Sequence, residues 1–447
     1  MSTHKDLIIS VSGIRGRIGE GLSPEVASAF ASALGAYTKG ATIVLSRDGR
    51  PSGQMLRHAV LGGLLASGCE VRDAGVAPTP TVGYAIQKLG AAGAIQITAS
   101  HNPSPWNGLK LFGSDGRVLT ATEGKEIQQI FESQSFRHVP WRDIGYISET
   151  PQALDWHQQR VLELVDVTLI RSRQLQAFLD ANGGAGGLLG PDLLDALGCK
   201  PVAIGTHCDG NFQHEPEPTA ENLVDVCPKV VQAGANIGFV LDPDADRLAI
   251  VDEKGNYIGE ELTLALAVMH RLRQQPGPVV INMSTSRVTE DICQLFKVEC
   301  HRSAVGEANV CDKMKEVGAV IGGEGNGGVI DPRVGFVRDP FIGMGLILSL
   351  LAEEDKPLSE IVASLPSYSI VKTKCQVDRS RLPEIFEKLK RTFSEARPNT
   401  VDGLRLDWQD RWLHVRPSNT EPIVRIIAEA PQTGEAEELC QKAGEVL

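Results

Sequence analysis

The sequence predicts an α/β protein of several domains, on three observations. Apolar strand-like runs alternate with helical stretches through most of the chain. One phrase, a helix ending at glycine or Gly-Ala followed by an apolar strand and then a polar loop, recurs three times. Beyond residue 368 the alternation gives way to short strands with period-two patterning. At 447 residues the chain exceeds one ordinary core, and length alone suggests roughly three domains.

Taken in order, Thr42-Ile43-Val44-Leu45-Ser46 reads as a strand and Arg47 to Gly53 as a turn. Gln54 to Ser67 has helical apolar spacing that stops at Gly68, and Cys69-Glu70-Val71 begins another strand. A second copy runs from Ala177-Phe178-Leu179-Asp180-Ala181 through a loop at 182–187 and a helix to Leu197, then into Gly198-Cys199-Lys200-Pro201-Val202. A third has a strand at 279–282, Ser284-Thr285-Ser286-Arg287, a helix over 288–296 and a strand at 298–301. Each copy then reaches one polar loop. Gly90-Ala91-Ala92-Gly93 precedes strand 94–99 and Ser100-His101-Asn102-Pro103. Ala233-Gly234-Ala235 precedes strand 237–241 and Asp242 to Arg247. Val317-Gly318 precedes Ala319-Val320-Ile321 and the run Gly322 to Gly328. Polar loops at matching strand ends are where α/β sheets carry their sites. Turn residues interrupt the periodicity near 150, 256 and 368. The tail has strands at 369–372, 404–408, 412–415 and 423–427 and a helix over 383–396, which makes a small α+β domain.

Composition narrows the function classes. With 42% hydrophobic and 22% charged residues, no apolar stretch predicts a membrane span. The N-terminus lacks the apolar core of an export signal, so cytoplasm is the expected location. A net charge of −12 argues against a nucleic-acid partner, so an anionic substrate needs a local cluster of Arg and Lys. The nine cysteines include no CxxC pair and indicate neither a disulfide framework nor a zinc ribbon.

The loops carry the chemistry. Asp242, Asp244 and Asp246 alternate, and in an extended segment their carboxylates point to one side. Three such anions about 4 Å apart repel by roughly 4 kcal/mol per pair at an effective dielectric of ~20. A divalent cation relieves that repulsion, and an all-oxygen set suits Mg²⁺ or Mn²⁺. Three other readings stay open: part of a calcium loop with Glu253 at the twelfth position, although Arg247 stands where that loop needs glycine; an aspartyl nucleophile; and a solvated acidic turn. Ser100 is followed by Gly108 and Lys110, as a phosphoryl-transfer loop requires, but a serine before a turn is also an ordinary cap. Gly323-Glu324-Gly325-Asn326-Gly327-Gly328 spells GxGxxG without a following helix, so it reads as a close-approach loop with Glu324 and Asn326 facing hydroxyls, or as a structural turn. Arg416-Pro417-Ser418-Asn419-Thr420-Glu421-Pro422 offers a guanidinium, hydroxyls and an amide suited to phosphate, or else a capped surface turn. Arg15, in Gly13-Ile14-Arg15-Gly16, adds a cation between glycines.

These motifs, in this order along the chain, resemble the α-D-phosphohexomutase family. The resemblance implies four domains around a central cleft, three of them similar mixed-sheet α/β units and the fourth a smaller α+β unit: a phosphoserine domain at 1–150, a metal-binding domain at 151–255, a sugar-binding domain at 256–368 and a phosphate-binding domain at 369–447. It implies a phosphoserine at Ser100 and one Mg²⁺ held by Ser100, Asp242, Asp244 and Asp246. Lys110 becomes a proton-transfer candidate, Arg15 and Arg247 stabilise the moving phosphoryl, and His101 joins the catalytic group. Glu324, Asn326 and Gly306 are expected at the sugar, and Arg416, Ser418, Asn419 and Thr420 at the phosphate that does not react. The implied substrates are phosphosugars, with a hexose 1,6-bisphosphate as activator and a monomer or homodimer as the working form. Asn326 and Gly328 replace the serine and histidine of the commoner sugar loop, a form similar to archaeal-type phosphoglucosamine mutases and related phosphomannomutases. A phosphatase using Asp242 and a non-catalytic sugar-phosphate binder are the rival classes.

Overall fold

The three recurring phrases fold into three copies of one sheet. The structure, a computed structural model, describes residues 7–10, 13–417 and 423–447. In every copy the first strand is central, the second and third flank it in parallel, and a fourth returns antiparallel beside the third. In the first copy these are Ile43–Arg47, Val71–Val76, Gly93–Ile97 and Trp106–Gly113. In the second they are Gln176–Asp180, Lys200–Ile204, Ile237–Leu241 and Leu248–Asp252. In the third they are Val279–Asn282, Cys300–Ser303, Ile321–Glu324 and Gly328–Ile330. The first sheet is widened to seven strands by Leu7–Ser10 and Gly13–Arg17 on one edge and Ile147–Glu149 on the other.

The glycines that close the phrases explain the sharp entry into each third strand. Gly90, Gly234 and Gly318 take φ of 60°, 63° and 63°, the left-handed conformation that ends a helix without a Cβ clash. Each third strand then delivers the chain to the turn before the fourth, so Ser100, the aspartates and the Gly325 to Gly327 loop occupy equivalent positions. The third loop is shorter than the sequence predicts. Gly322, Gly323 and Glu324 pair as strand with Ile330, Val329 and Gly328, which leaves only 325–327 as the turn.

The C-terminal unit is a five-stranded antiparallel sheet ordered Ser369–Cys375, Val424–Ala430, Trp412–Pro417, Leu404–Asp407 and Arg397–Asn399. The expected helix spans Leu382–Thr392. A strand at Arg397–Asn399 and a helix at Thr433–Val446 add to the predicted elements. Among the described residues, no helix is long and apolar enough to cross a membrane.

The second and third copies share one hydrophobic core, in which the helices Gly259–Gln274 and Pro340–Glu354 pack against each other and against both sheets. Helix 340–354 is buried continuously from Pro340 to Ala352 and has no solvent face. The first copy is tied to this core by a buried relay. His157, from helix Ala153–Leu162, has Nδ1 2.9 Å from Thr81 Oγ1 and Nε2 2.9 Å from Asp339 Oδ2. Asp339 in turn caps helix 340–354, its Oδ1 accepting from the amides of Phe341 and Ile342. Removing the imidazole strands a fully buried carboxylate oxygen. His157→Ala is therefore expected to lose about 3 kcal/mol of stability, read as a lower urea midpoint, and an unchanged midpoint would show that the relay carries no stability.

Candidate active site

Ser100 sits at the mouth of the first repeat loop, 2% exposed, with φ of 51°. A left-handed serine costs about 1–2 kcal/mol, so the surrounding structure must hold it. Its Oγ donates to Asp242 Oδ2 at 3.2 Å and lies 3.2 Å from His101 Nδ1. The first and second loops thus meet at the hydroxyl. Arg15 enters from the neighbouring strand, paired with Gly108, and its Nη1 donates to Asn102 Oδ1 at 3.3 Å.

The aspartate loop is a turn, and this corrects the extended reading of its alternation. Ala245 adopts φ of 50°, and Asp242 Oδ1 accepts from the amides of both Asp246 and Arg247 at 3.0 Å. The carboxylates converge because the chain wraps around Asp242, and each is 0% exposed. They share their oxygens by a rule. Asp244 Oδ2 accepts from Lys110 Nζ at 2.8 Å and Thr79 Oγ1 at 2.9 Å, and Asp246 Oδ2 accepts from Lys110 Nζ at 2.7 Å and Arg338 Nη2 at 2.6 Å. Among the described residues, the buried Oδ1 atoms of Asp244 and Asp246 have no hydrogen-bond partner. One ligand atom from each of the three aspartates lies within 4.8 Å of the others. Two unpartnered hard oxygens, with the third buried carboxylate of Asp242 beside them, fit a cation of the Mg²⁺ type.

The third copy contributes two further acids, Glu324 at the end of strand Ile321–Glu324 and Glu307 at the start of helix Glu307–Val317. Glu324 Oε1 accepts from Asn282 Nδ2 and from the Gly306 amide, both at 2.9 Å. The Gly306 amide is therefore committed to Glu324, and the residue acts on the cleft through that carboxylate. Arg338 joins this wall to the aspartates. Its Nη1 lies 3.3 Å from Glu324 Oε2, its Nε 3.1 Å from Glu307 Oε2, and its Nη2 on Asp246. Sequence reasoning missed Arg338, which lies 14 residues beyond Glu324 in no motif. Asn326 Oδ1 is buried and, among the described residues, without a partner. A Cβ on Gly325 would crowd the movable Glu261 carboxylate, whereas one on Gly327 would run into the Leu248 backbone with φ already +75°, so it is Gly327 that requires glycine.

Arg247 donates through Nη1 to Glu217 Oε1 at 2.8 Å, while its buried Nε has no partner among the described residues. Arg416, 6% exposed at the end of its strand, donates through Nε to Asp402 Oδ2 at 2.9 Å. The same oxygen accepts from the Val305 amide at 3.0 Å, which links the C-terminal unit to the segment holding Glu324. Ser418, Asn419 and Thr420 lie outside the described residues.

Burial and charge set the protonation states. His101 is driven down to about 2, first by the Arg247 guanidinium, then by burial and by Arg15, so it is neutral throughout the physiological range. Burial alone would lower Lys110, but Asp244 and Asp246 hold its ammonium above the ordinary lysine value, so it stays charged. Burial and the charges of Asp244 and Asp246 raise Asp242 well above the carboxylate range, the repulsion a cation would relieve. Behind the 325–327 turn, burial pushes Glu261 up to about 8.

The repeated sheets, the conjoined loops and the family comparisons agree on a class. Residues 7–138, 155–255, 259–368 and 373–445 match, in that order, domains I, II and III (each described as alpha/beta/alpha) and the C-terminal domain of phosphoglucomutase/phosphomannomutase. That set of four domains defines a phosphohexomutase, an isomerase that acts as an intramolecular phosphotransferase. The chain belongs to the phosphoglucomutase/phosphomannomutase family. It is 38% identical to a protein named "Probable phosphoglucosamine mutase" from Methanopyrus kandleri, over 96% of this chain and 95% of that one. It is 35% identical to a phosphoglucomutase/phosphomannomutase of Thermococcus kodakarensis, over 95% of each chain. Its structure resembles the crystal structure of a family protein from Burkholderia thailandensis with a TM-score of 0.88 and 29% identity, covering 100% of this chain and 98% of that one.

The raised Glu261 has a consequence for stability. Its folded value of about 8 exceeds the ordinary 4.5, so between those pH values the unfolded chain ionises first and stability falls as pH rises. Glu261→Gln is expected to melt higher than wild type at pH 8, by about 3 °C. The two should coincide at pH 4, where both states hold the proton. A difference independent of pH would refute the assignment.

Proposed function

We propose that the protein interconverts the 6-phosphate and 1-phosphate of a hexose through a phosphorylated Ser100 and a 1,6-bisphosphate, with glucosamine phosphate as the foremost substrate. Mannose and glucose phosphates are the alternative, kept open by the relatives of both names. The observation that carries the reading is the meeting of Ser100 Oγ with Asp242 Oδ2, beside a lysine buried between the other two aspartates. A hydroxyl placed there is set for phosphoryl transfer rather than for capping a turn.

In this reading the four units divide the work: phosphoserine in 1–150, metal in 151–255, sugar in 256–368 and the non-reacting phosphate in 369–447. Asp242, Asp244, Asp246 and the Ser100 phosphate would hold Mg²⁺, which when bound neutralises charge on the transferring phosphoryl. The sugar's free hydroxyl oxygen attacks phosphorus as the bond from phosphorus to Ser100 Oγ breaks. The hydroxyl proton passes to Lys110 as Lys110 gives one to Ser100 Oγ, so the ammonium ends the step as it began it, and the bisphosphate turns over before its other phosphoryl returns to Ser100. Lys110, charged and fixed between two carboxylates, supplies positive charge and a donated proton at the bridging oxygen. Arg15 and the unpartnered Nε of Arg247 offer donors to the equatorial oxygens. Neutral His101 hydrogen-bonds Ser100 Oγ. Glu324 and Asn326 read sugar hydroxyls, Gly306 orients Glu324, and Arg416 with Ser418, Asn419 and Thr420 grips whichever phosphate is idle.

The test is conversion of 6-phosphate to 1-phosphate for the three sugars, with glucose 1,6-bisphosphate as activator. Turnover of none would overturn the proposal. Ser100→Ala is expected to lower kcat at least about 10³-fold, and intact mass should show the phosphate lost from the Ser100 peptide. Phosphate release from sugar phosphate that survives Ser100→Ala would instead mark a phosphatase using Asp242. Asp244→Asn is expected to weaken Mg²⁺ binding in calorimetry as well as activity.

A further inference from the structure

The strained Ser100 is held by groups that never reach the cleft. Arg50 comes from the turn after the first strand of the first sheet and is 1% exposed. Its guanidinium spends its donors on the serine loop: Nη2 on the carbonyls of Ser100 at 2.7 Å and Asn102 at 2.6 Å, Nη1 on those of Pro103 at 3.0 Å and Trp106 at 3.1 Å. The remaining Nε donates to Asp48 Oδ2 at 3.1 Å. Asp48 Oδ2 also accepts from Thr98 Oγ1 at 2.7 Å, and Thr98 Oγ1 accepts the Ser100 amide at 2.9 Å. Both backbone polar groups of Ser100 therefore end on the Asp48–Arg50 pair, one directly and one through Thr98. The far face of the guanidinium is closed by the Phe212 ring of the second copy, 5.0 Å from its centroid.

We propose that Arg50 is the positioning residue of the serine loop. Its planar fork gathers four carbonyls and, with Asp48 and Thr98, imposes the left-handed conformation that turns Ser100 Oγ toward Asp242. Only a guanidinium supplies five donors in one plane; a lysine ammonium offers three from a point and cannot span the same carbonyls. Ordinary serine conformations direct Oγ elsewhere, so the hydroxyl would drift from the phosphoryl path once the fork is gone. The kinetic consequence rests on the mutase reading, while the conformational one stands apart from it.

Two variants of the full-length protein test the clamp. Arg50→Lys removes the fork, and Thr98→Val leaves Arg50 in place but deletes the acceptor of the Ser100 amide, which keeps a test available where Arg50→Lys does not fold. With glucosamine 6-phosphate and glucose 1,6-bisphosphate, kcat is expected to fall about 100-fold, with KM within about threefold because the sugar and idle-phosphate contacts are untouched. Radiolabel on Ser100 should also partition more to inorganic phosphate, since a misplaced phosphoserine meets water instead of the sugar. Amide hydrogen exchange in the peptide 98–106 should quicken about tenfold or more while the rest of the first sheet is unchanged. A kcat within about threefold of wild type, a loss expressed only in KM, or unchanged exchange in 98–106 would overturn the proposal. A wild-type protein inactive on every sugar would remove the mutase reading and leave the exchange comparison to decide the clamp.

Discussion

Shared carboxylate oxygens bind this protein into one working body. Asp244 and Asp246 each give one oxygen to protein cations and keep the other without a partner among the described residues, and Lys110 and Arg338 are the cations that make the division. Taking such charges out of water is expensive, and breaking a buried pair by removing one partner costs about 3–5 kcal/mol. Ser100, Lys110, the aspartates, Arg338 and Glu324 come from three different sheets, so the three copies must pack in one arrangement for any of these charges to be paired. The electrostatics of the site and the packing of the repeats are one constraint.

The repeated sheet explains how so many functional groups reach one place. Each copy ends its third strand just before a loop, and the three strand ends carry different chemistry: a strained serine, three acids, and a glutamate at the last strand residue before the turn at 325–327. Antiparallel return of the fourth strand lets each loop be a short connection. The C-terminal unit reaches the same region by a different route. Arg405 donates to the Met283 carbonyl, the Arg287 amide donates to Glu429 Oε1 at 2.9 Å, and Asp402 joins Arg416 to Val305. These contacts are polar, in contrast to the continuous apolar core beneath the second and third copies.

Much of the site was legible in the sequence, because local patterns carry it. Ser100 and Lys110 stand in one loop and strand, the three aspartates in five residues, and Glu324 among glycines that only a close approach explains. Arg338 and Arg50 were not legible. Arg50 sits in a turn that reads as Gly/Pro punctuation, and its partners lie 50 to 56 residues away. Arg338 precedes a buried helix and draws its meaning from Asp246, Glu307 and Glu324, in three other segments of the chain. A guanidinium's role depends on which carbonyls and carboxylates surround it, and no local spacing encodes that. The same limit applied to the aspartates: their alternation suggested an extended segment, whereas a left-handed Ala245 and two backbone amides on Asp242 produce the convergence.

By itself the sequence determined the α/β class, the threefold phrase, the glycines that end the helices and the candidate residues for the chemistry, since strand period, cap chemistry and turn composition act over a few residues. Only the tertiary structure decided that Glu261 and Asp242 are raised, that His101 is neutral, that Gly306 serves Glu324, and that Arg338 and Arg50 hold other residues in place. Desolvation and charge pairing depend on distances between segments far apart in the chain, and those distances exist only after the sheets have packed.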